Sequence, residues 1–183
     1  MEMFNTIKEK VLPFLLSAAI ITLDQITKAF VVARWPVPGT FIKDVFNNDI
    51  LIMYHVRNKA IAFSIGDSLP QALRFPLFVV VPIAVLVLLT WYYLTTKDFN
   101  RPQRWAIAGI IGGGVGNIID RVFRGEGVVD FISVKFYGIF GLERWPTFNV
   151  ADASVVICCL ILLVTMIIPA KEISKEKLES GNE

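Results

Sequence analysis

The chain has a single histidine, and its two cysteines are neighbours, Cys158 and Cys159, inside an apolar run. A lone His55 argues against a histidine-based metal centre. Adjacent cysteines lack metal-ligand spacing and are poorly placed to bridge distant segments, so they read as small buried apolar residues. Charge is scarce too, at 19% of residues, and the formal net charge of +2 gives no footing for nucleic acid. No glycine-rich phosphate loop follows a strand, which removes the usual nucleotide sites. Polar surface is the largest deficit. With 55% hydrophobic residues and a mean hydropathy of +0.60, 183 residues cannot clothe a soluble domain. What remains is one membrane domain, with no cofactor expected and no separate soluble module.

A span needs about 20 mostly apolar residues to cross roughly 30 Å of hydrocarbon. Residues 11–33, 75–95, 103–123 and 148–169 qualify. The first carries an acid and a base and lacks a small-residue cleavage site, so it reads as a span and not as a removable signal peptide. Pro82 is expected to kink the second. Gly112-Gly113-Gly114-Val-Gly116 in the third suits close helix approach more than isolated helix stability. Four spans put both termini on one side. Basic residues are denser in the short segments around Lys8, Lys10, Lys97, Arg101 and Arg104, which places the termini in the cytoplasm.

The outer connections are then 34–74 and 124–147. The first is too long for a simple link. Residues 41–46 and 50–56 read as strands around the Asn47-Asn48-Asp49 turn, and 60–65 as a possible third. Asp67 or Ser68 is placed to cap a short interfacial helix containing Pro70, with Leu69, Leu73 and Phe75 against the bilayer. Phe136, Tyr137, Phe140 and Trp145 in the second connection suit an interfacial aromatic belt. The tail after Pro169 is expected to be helical and then frayed. The fold class is thus an all-α polytopic membrane protein: four transmembrane helices, a small extracytoplasmic β-sheet and a short interfacial helix.

Against this apolar background, four aspartates stand out: Asp24, Asp120, Asp130 and Asp152. An ionised group at a membrane helix centre costs roughly 2.5–3.5 kcal/mol by the milder scales, so such residues pair, line a cavity or do chemistry. With the termini inside, all four reach one depth near the outer boundary. Asp24 and Lys28 are one helical turn apart and read as a mutually neutralising pair. That pairing favours a charged Lys28, which counts against it as a catalytic base. Asn117, Asp120 and Arg121 share another helix face, where a snorkelling arginine with its acid is an equally good account. A Ser64–His55–Asp triad has no support in spacing. Asp130 and Asp152 lie in apolar contexts without an adjacent base, joined by a connection that can fold back. Two carboxylates that meet there would share a proton, one activating water and the other donating to a carbonyl. A hydrolase and a proton-coupled carrier both fit intramembrane acids, although spans two and four show no acid toward the cytoplasm for a through path.

The blocks together resemble a known family, the lipoprotein signal peptidases or signal peptidase II. They are Asp24-x-x-Thr-Lys28, Arg57-Asn58-x-x-x-Ala62-Phe63-Ser64, Gly112-Gly113-x-x-Gly116-Asn117-x-Ile-Asp120-Arg121, Val128-Val129-Asp130-Phe131 and Phe148-Asn149-x-Ala151-Asp152. Five blocks in order on four spans cover nearly the whole chain. The resemblance implies a bacterial inner-membrane aspartyl protease with Asp130 and Asp152 as its catalytic pair. Asp24, Lys28, Asn58, Asn117, Asp120, Arg121, Asn149 and Ala151 would shape the site or hold substrate. It implies a monomer in membrane lipid with no metal. The substrate would be a diacylglyceryl-modified prolipoprotein, cut just before the lipidated cysteine, and the inhibitor globomycin or a similar cyclic peptide. One block departs: Lys59 and Ile61 are unusual in it, and Ala60 stands where the family more often has glycine, which bears on the shape of the outer flap.

Overall fold

The computed structural model describes residues 2–59 and 70–167. The expected strand at 60–65, the cap at Asp67 or Ser68 and the tail beyond Pro169 fall outside them. Among the described residues, helix α1 (Glu2–Val11) turns at Leu12 and Pro13 into α2 (Phe14–Arg34). Strands β1 (Phe41–Asp44) and β2 (Leu51–Asn58) follow. A short helix α3 (Gln71–Phe75), a wide π-helical turn (Pro76–Val80) and α4 (Val81–Thr95) come next. The chain continues through α5 (Arg101–Phe123), β3 (Val128–Ile139), β4 (Leu142–Arg144) and α6 (Val150–Ile167).

Four helical stretches are long and apolar enough to cross a membrane: Ile7–Arg34, Ala72–Thr95, Arg101–Phe123 and Val150–Ile167. Leu88, Trp91, Leu160 and Met166 are exposed on them, as side chains that face hydrocarbon should be. The expected short helix before the second span is α3, but it runs on into that span without a break. The irregularity also lies just ahead of Pro82. A proline has no N–H for the carbonyl of Phe78, so the preceding turn widens.

Helix α5 is the most enclosed of the four and packs against α2, α4 and α6. Its glycines explain how. A Cβ on Gly112 would lie 2.8 Å from the Ser17 backbone of α2, and one on Gly113 would lie 2.5 Å from the Ala151 carbonyl of α6. Without side chains at these positions both neighbours approach the α5 backbone directly. Asn100 and Gln103 form a capping box at the start of α5, satisfying two orphan N–H groups.

At the other end of the bundle sits an antiparallel sheet in the order β1-β2-β3-β4. Half of it comes from the second connection, expected above only as an aromatic loop. The first hairpin turns where anticipated, with Asn47 and Asp49 in the left-handed region and the Asp44 carboxylate accepting from the backbone of Phe46 and Asp49. Arg144 donates to Asp49 at 2.9 Å and Lys135 at 3.1 Å, which ties that turn to the second hairpin.

Candidate active site

Asp130 enters the site from β3, and the sheet register explains its first partner. Val56 lies opposite Asp130 and Asn58 opposite Val128, so Asn58 is the diagonal neighbour on the same face. Its side-chain nitrogen donates to Asp130 Oδ2 at 2.9 Å. Downstream, Phe148 folds back to bridge Ile132, donating to its carbonyl at 2.9 Å and accepting from its N–H at 2.8 Å. This places Asn149 beside Asp130 and opens α6 with Asp152 in its first turn.

Asn149 is the N-cap of α6. Its Oδ1 accepts from the Asp152 backbone at 2.9 Å, while Asp152 Oδ2 accepts from the Asn149 backbone at 3.1 Å. That reciprocal pair is a capping box with aspartate in the third position. The Asn149 amide nitrogen in turn donates to Asp130 Oδ1 at 2.7 Å. One asparagine therefore holds both carboxylates. Its orientation follows from chemistry, because the oxygen must face an N–H donor and the nitrogen an acceptor.

The second Asp152 oxygen accepts from Asn117 Nδ2 at 2.7 Å. Behind Asn117 lies a buried charge cluster. Lys28 Nζ reaches Asn117 Oδ1 at 2.9 Å, Asp24 at 2.8 Å and Asp120 at 3.2 Å, and all three charged side chains are fully buried. Arg124 adds a second cation against Asp120 at 3.0 Å, so two acids face two bases. Both acids also fasten backbone. Asp24 accepts from the Ala151 N–H at 3.0 Å and Asp120 from the Val129 N–H at 3.0 Å. Asp24 thus anchors the helix that carries Asp152, and Asp120 the strand that carries Asp130. The Asp24–Lys28 pairing read from spacing is present, but as part of a four-charge network.

Gln25 and Arg124 were not singled out from the sequence. Gln25 bridges Asp24, the Gly116 carbonyl and Asp120, each at 3.1 Å. Arg124 stands one turn after Asp120, a spacing that signals such a pair. Arg121 points elsewhere. It is half-buried and lines a cavity of about 450 Å³ together with Asn58, Asn117, Asp130 and Asp152. Among the described residues it makes no hydrogen bond or ion pair, and it feels the charges of Asp152 and Asp130. His55 is buried away from the cavity with Nδ1 on the Trp35 carbonyl, and Ser64 lies outside the described residues.

The rest of the cavity wall is largely apolar, from Leu86 of α4, Ile118 of α5, Val155 of α6 and the Trp145 and Phe148 rings. In these surroundings the Asp130 carboxyl is pushed up to about 7. Burial is the main cause and the Asp152 charge the second, while hydrogen bonds from Asn58 and Asn149 pull the other way. Among the described residues no group of histidine, cysteine and carboxylate side chains is placed to hold a metal ion. The arrangement suits proton transfer between two linked carboxyls and a polarised group in the cavity.

Comparison with known proteins agrees with this construction. A family model described as Signal peptidase (SPase) II matches residues 16–168. The lipoprotein signal peptidase of Treponema denticola is 46% identical over 177 residues, covering 97% of this chain and 99% of that protein. That of Treponema pallidum is 44% identical over 169 residues, covering 92% and 90%. A bacterial membrane enzyme solved by the in meso method at 2.3 Å superposes with a TM-score of 0.70 at 27% identity, covering 85% of this chain and 87% of that one. Another, at 1.9 Å, gives 0.68 at 28%, covering 86% and 94%. The matched region contains every carboxylate of the site and the helices that carry it, and the chain belongs to the signal peptidase II family.

Proposed function

We propose that the protein is an intramembrane aspartic endopeptidase that removes signal peptides from diacylglyceryl-modified prolipoproteins, cutting just before the lipidated cysteine. The observation that carries this reading is Asn149 holding Asp130 and Asp152 together at the wall of an apolar cavity. Two carboxyls so placed share one proton at neutral pH. Asp130, the more buried, is the better seat for it. The ionised Asp152 takes a proton from water, and that water attacks the scissile carbonyl carbon. Asp130 gives its proton to the carbonyl oxygen, forming a tetrahedral diol. Collapse of the diol breaks the C–N bond, with Asp152 passing its proton to the departing cysteine nitrogen and a diol hydroxyl returning one to Asp130. Arg121, with guanidinium donors unused among the described residues, faces the cavity and suits a peptide carbonyl.

Substrate chemistry is supported by the adjoining walls. A second groove of about 490 Å³ runs between α4 and α5 past Val87, Trp91 and Val115. Leu86 and Ile118 belong to both hollows, so acyl chains can lie in the groove while the peptide meets the aspartates. Both termini lie in the cytoplasm in this reading, with the site near the outer face of the bacterial inner membrane. A lipid-modified cysteine is held at that depth. Globomycin-type peptides would compete for the same cavity, and a monomer suffices, because every site residue comes from one chain.

The test is cleavage by purified protein in detergent. A diacylglyceryl-modified precursor should be cut at the bond before its cysteine, and the unmodified precursor should be left intact. Equal cutting of both would remove the lipid-dependent reading. Tags at residue 2 and after residue 183 should both report from the cytoplasm.

A further inference from the structure

A second polar hollow lies at the end of the bundle opposite the aspartates. It measures about 400 Å³ and is walled by Lys8, Glu9, Pro13, Arg101, Arg104 and Trp105. Asp120 is 16 residues beyond Arg104 on α5, so the two sites are separated by about 24 Å of helix. The proteolytic reading makes no use of it.

Three bases here face one acid. Glu9 is taken by Arg101 at 2.9 Å. Among the described residues no carboxylate pairs with Lys8 or Arg104. Arg104 is the unusual member: it is only 6% exposed, and its Nη1 has no hydrogen-bond partner among the described residues. A buried guanidinium nitrogen left unsatisfied is expensive unless something occupies the space it faces. Its position is built, not incidental. The guanidinium carbon stands 5.5 Å from the centre of the Tyr93 ring, and the Tyr93 hydroxyl donates to the Lys10 carbonyl at 2.8 Å. Lys10 Nζ then reaches the Leu94 carbonyl at 2.5 Å, fastening α1 to the end of α4.

The surroundings indicate what kind of anion fits. Ile7, Val11, Leu12 and Trp105 are exposed apolar side chains at the same level. Charge inside the hollow with apolar surface beside it suits an amphiphile at a membrane boundary. We infer that this hollow binds the phosphate of an anionic phospholipid in the leaflet opposite the aspartate site, with Arg104 and Lys8 as its donors. Arginine forks onto phosphate oxygens while lysine acts as a compact point charge, and the pair outweighs one phosphodiester charge. The bound lipid joins α1 to α5, which otherwise meet at an exposed ion pair.

The experiment is native mass spectrometry of the full chain released from detergent micelles. The micelles carry equal amounts of short-chain phosphatidylglycerol and phosphatidylcholine. Wild type should retain phosphatidylglycerol with a several-fold preference. Arg104→Gln should bring that preference close to one. Because Arg104 is buried, the Lys8→Gln variant serves as the companion: its side chain is exposed, and it should lower the preference without altering the melting temperature in phosphatidylcholine. Inorganic phosphate at the same concentration should neither displace the lipid nor raise the melting temperature as the lipid does. Unchanged preference in both variants would overturn the site. Equal protection by inorganic phosphate would overturn the lipid as its occupant. Precursor cleavage is independent of both outcomes.

Discussion

Lys28 donates to the side-chain oxygen of Asn117 at 2.9 Å, and this contact determines which end of that amide meets Asp152. An ammonium can only donate, so the amide must turn its oxygen to Lys28 and its nitrogen to the carboxylate. A residue with no contact to Asp152 thereby sets the donor that holds it. The same ammonium neutralises Asp24 and Asp120, which fasten the backbone under Ala151 and Val129. Charge balance and site geometry are therefore one network.

Lys28→Met leaves two buried carboxylates with Arg124 as their remaining cation. Breaking a buried pair from one side costs about 3–5 kcal/mol, so yield and melting temperature should fall along with activity. Adding Asp24→Asn should recover part of the stability, because one stranded charge disappears. Activity should stay low, since the Asn117 amide is no longer oriented. The check is a thermal melt of each purified variant beside its cleavage rate. A stable, abundant and inactive Lys28→Met would show that the network is not structural.

Neighbouring glycines of α5 should behave oppositely. A Cβ on Gly113 meets backbone, the Ala151 carbonyl at 2.5 Å, and moving it shifts the helix that carries Asp152. A Cβ on Gly114 first meets the Leu86 side chain, at 2.8 Å, which can change rotamer. Gly113→Ala should therefore lower both stability and cleavage markedly. Gly114→Ala should be close to wild type, helped by the greater helix propensity of alanine. Melting and cleavage assays on the two variants decide the point.

Much of this was legible in the sequence, because a bilayer makes every stray charge conspicuous. The four spans, the glycine packing and the Asp24–Lys28 pair follow from that penalty and from helical spacing, whereas spacing leaves the approach of Asp130 to Asp152 open. The sheet was half legible. Its first hairpin announces itself through the Asn47-Asn48-Asp49 turn. Strand β3 does not, because Val128-Val129-Asp130-Phe131 is a short apolar run whose pairing partner lies some 70 residues earlier. Asn149 and Asp152 stand at capping-box spacing, but only the structure reveals that this box also clamps Asp130. Gln25 acquires its role only when Asp24 and Asp120 are brought together, which no local pattern encodes.

The raised Asp130 carboxyl makes stability depend on pH, and the direction follows from linkage. Its folded value, about 7, lies above the ordinary range near 3.8. The native state therefore holds a proton that the unfolded chain has released. That contribution is fully present below the ordinary value and is lost as pH rises through about 7. Asp130→Asn removes the titration. The stability difference, variant minus wild type, should increase between acid and mildly alkaline pH. Cleavage by the wild type should fall on the alkaline side as the shared proton leaves. Melts across pH in one detergent test the first statement, and a pH–rate profile the second. A pH-independent difference would show that Asp130 titrates normally.

Asparagine at position 130 or 152 should stop the reaction, and each variant should also lose stability. Each aspartate accepts hydrogen bonds on both oxygens, and asparagine offers only one acceptor. At position 130 the Asn149 amide cannot turn, because its oxygen is committed to the Asp152 backbone. At position 152 Asn117 is held by Lys28, and the other donor is the Asn149 backbone. Each variant should thus melt below wild type by an amount typical of one unsatisfied buried group, about 1–3 kcal/mol. Cleavage should drop by several orders of magnitude in both, because Asp152→Asn leaves no base to take the proton from water and Asp130→Asn no acid to protonate the carbonyl oxygen. The double variant should be scarcely slower than either single one, as expected of groups that act as a unit. Single-turnover assays on the lipidated precursor, paired with melts, measure both effects. Substantial cleavage by either variant would refute the two-carboxylate mechanism, whatever the stabilities show.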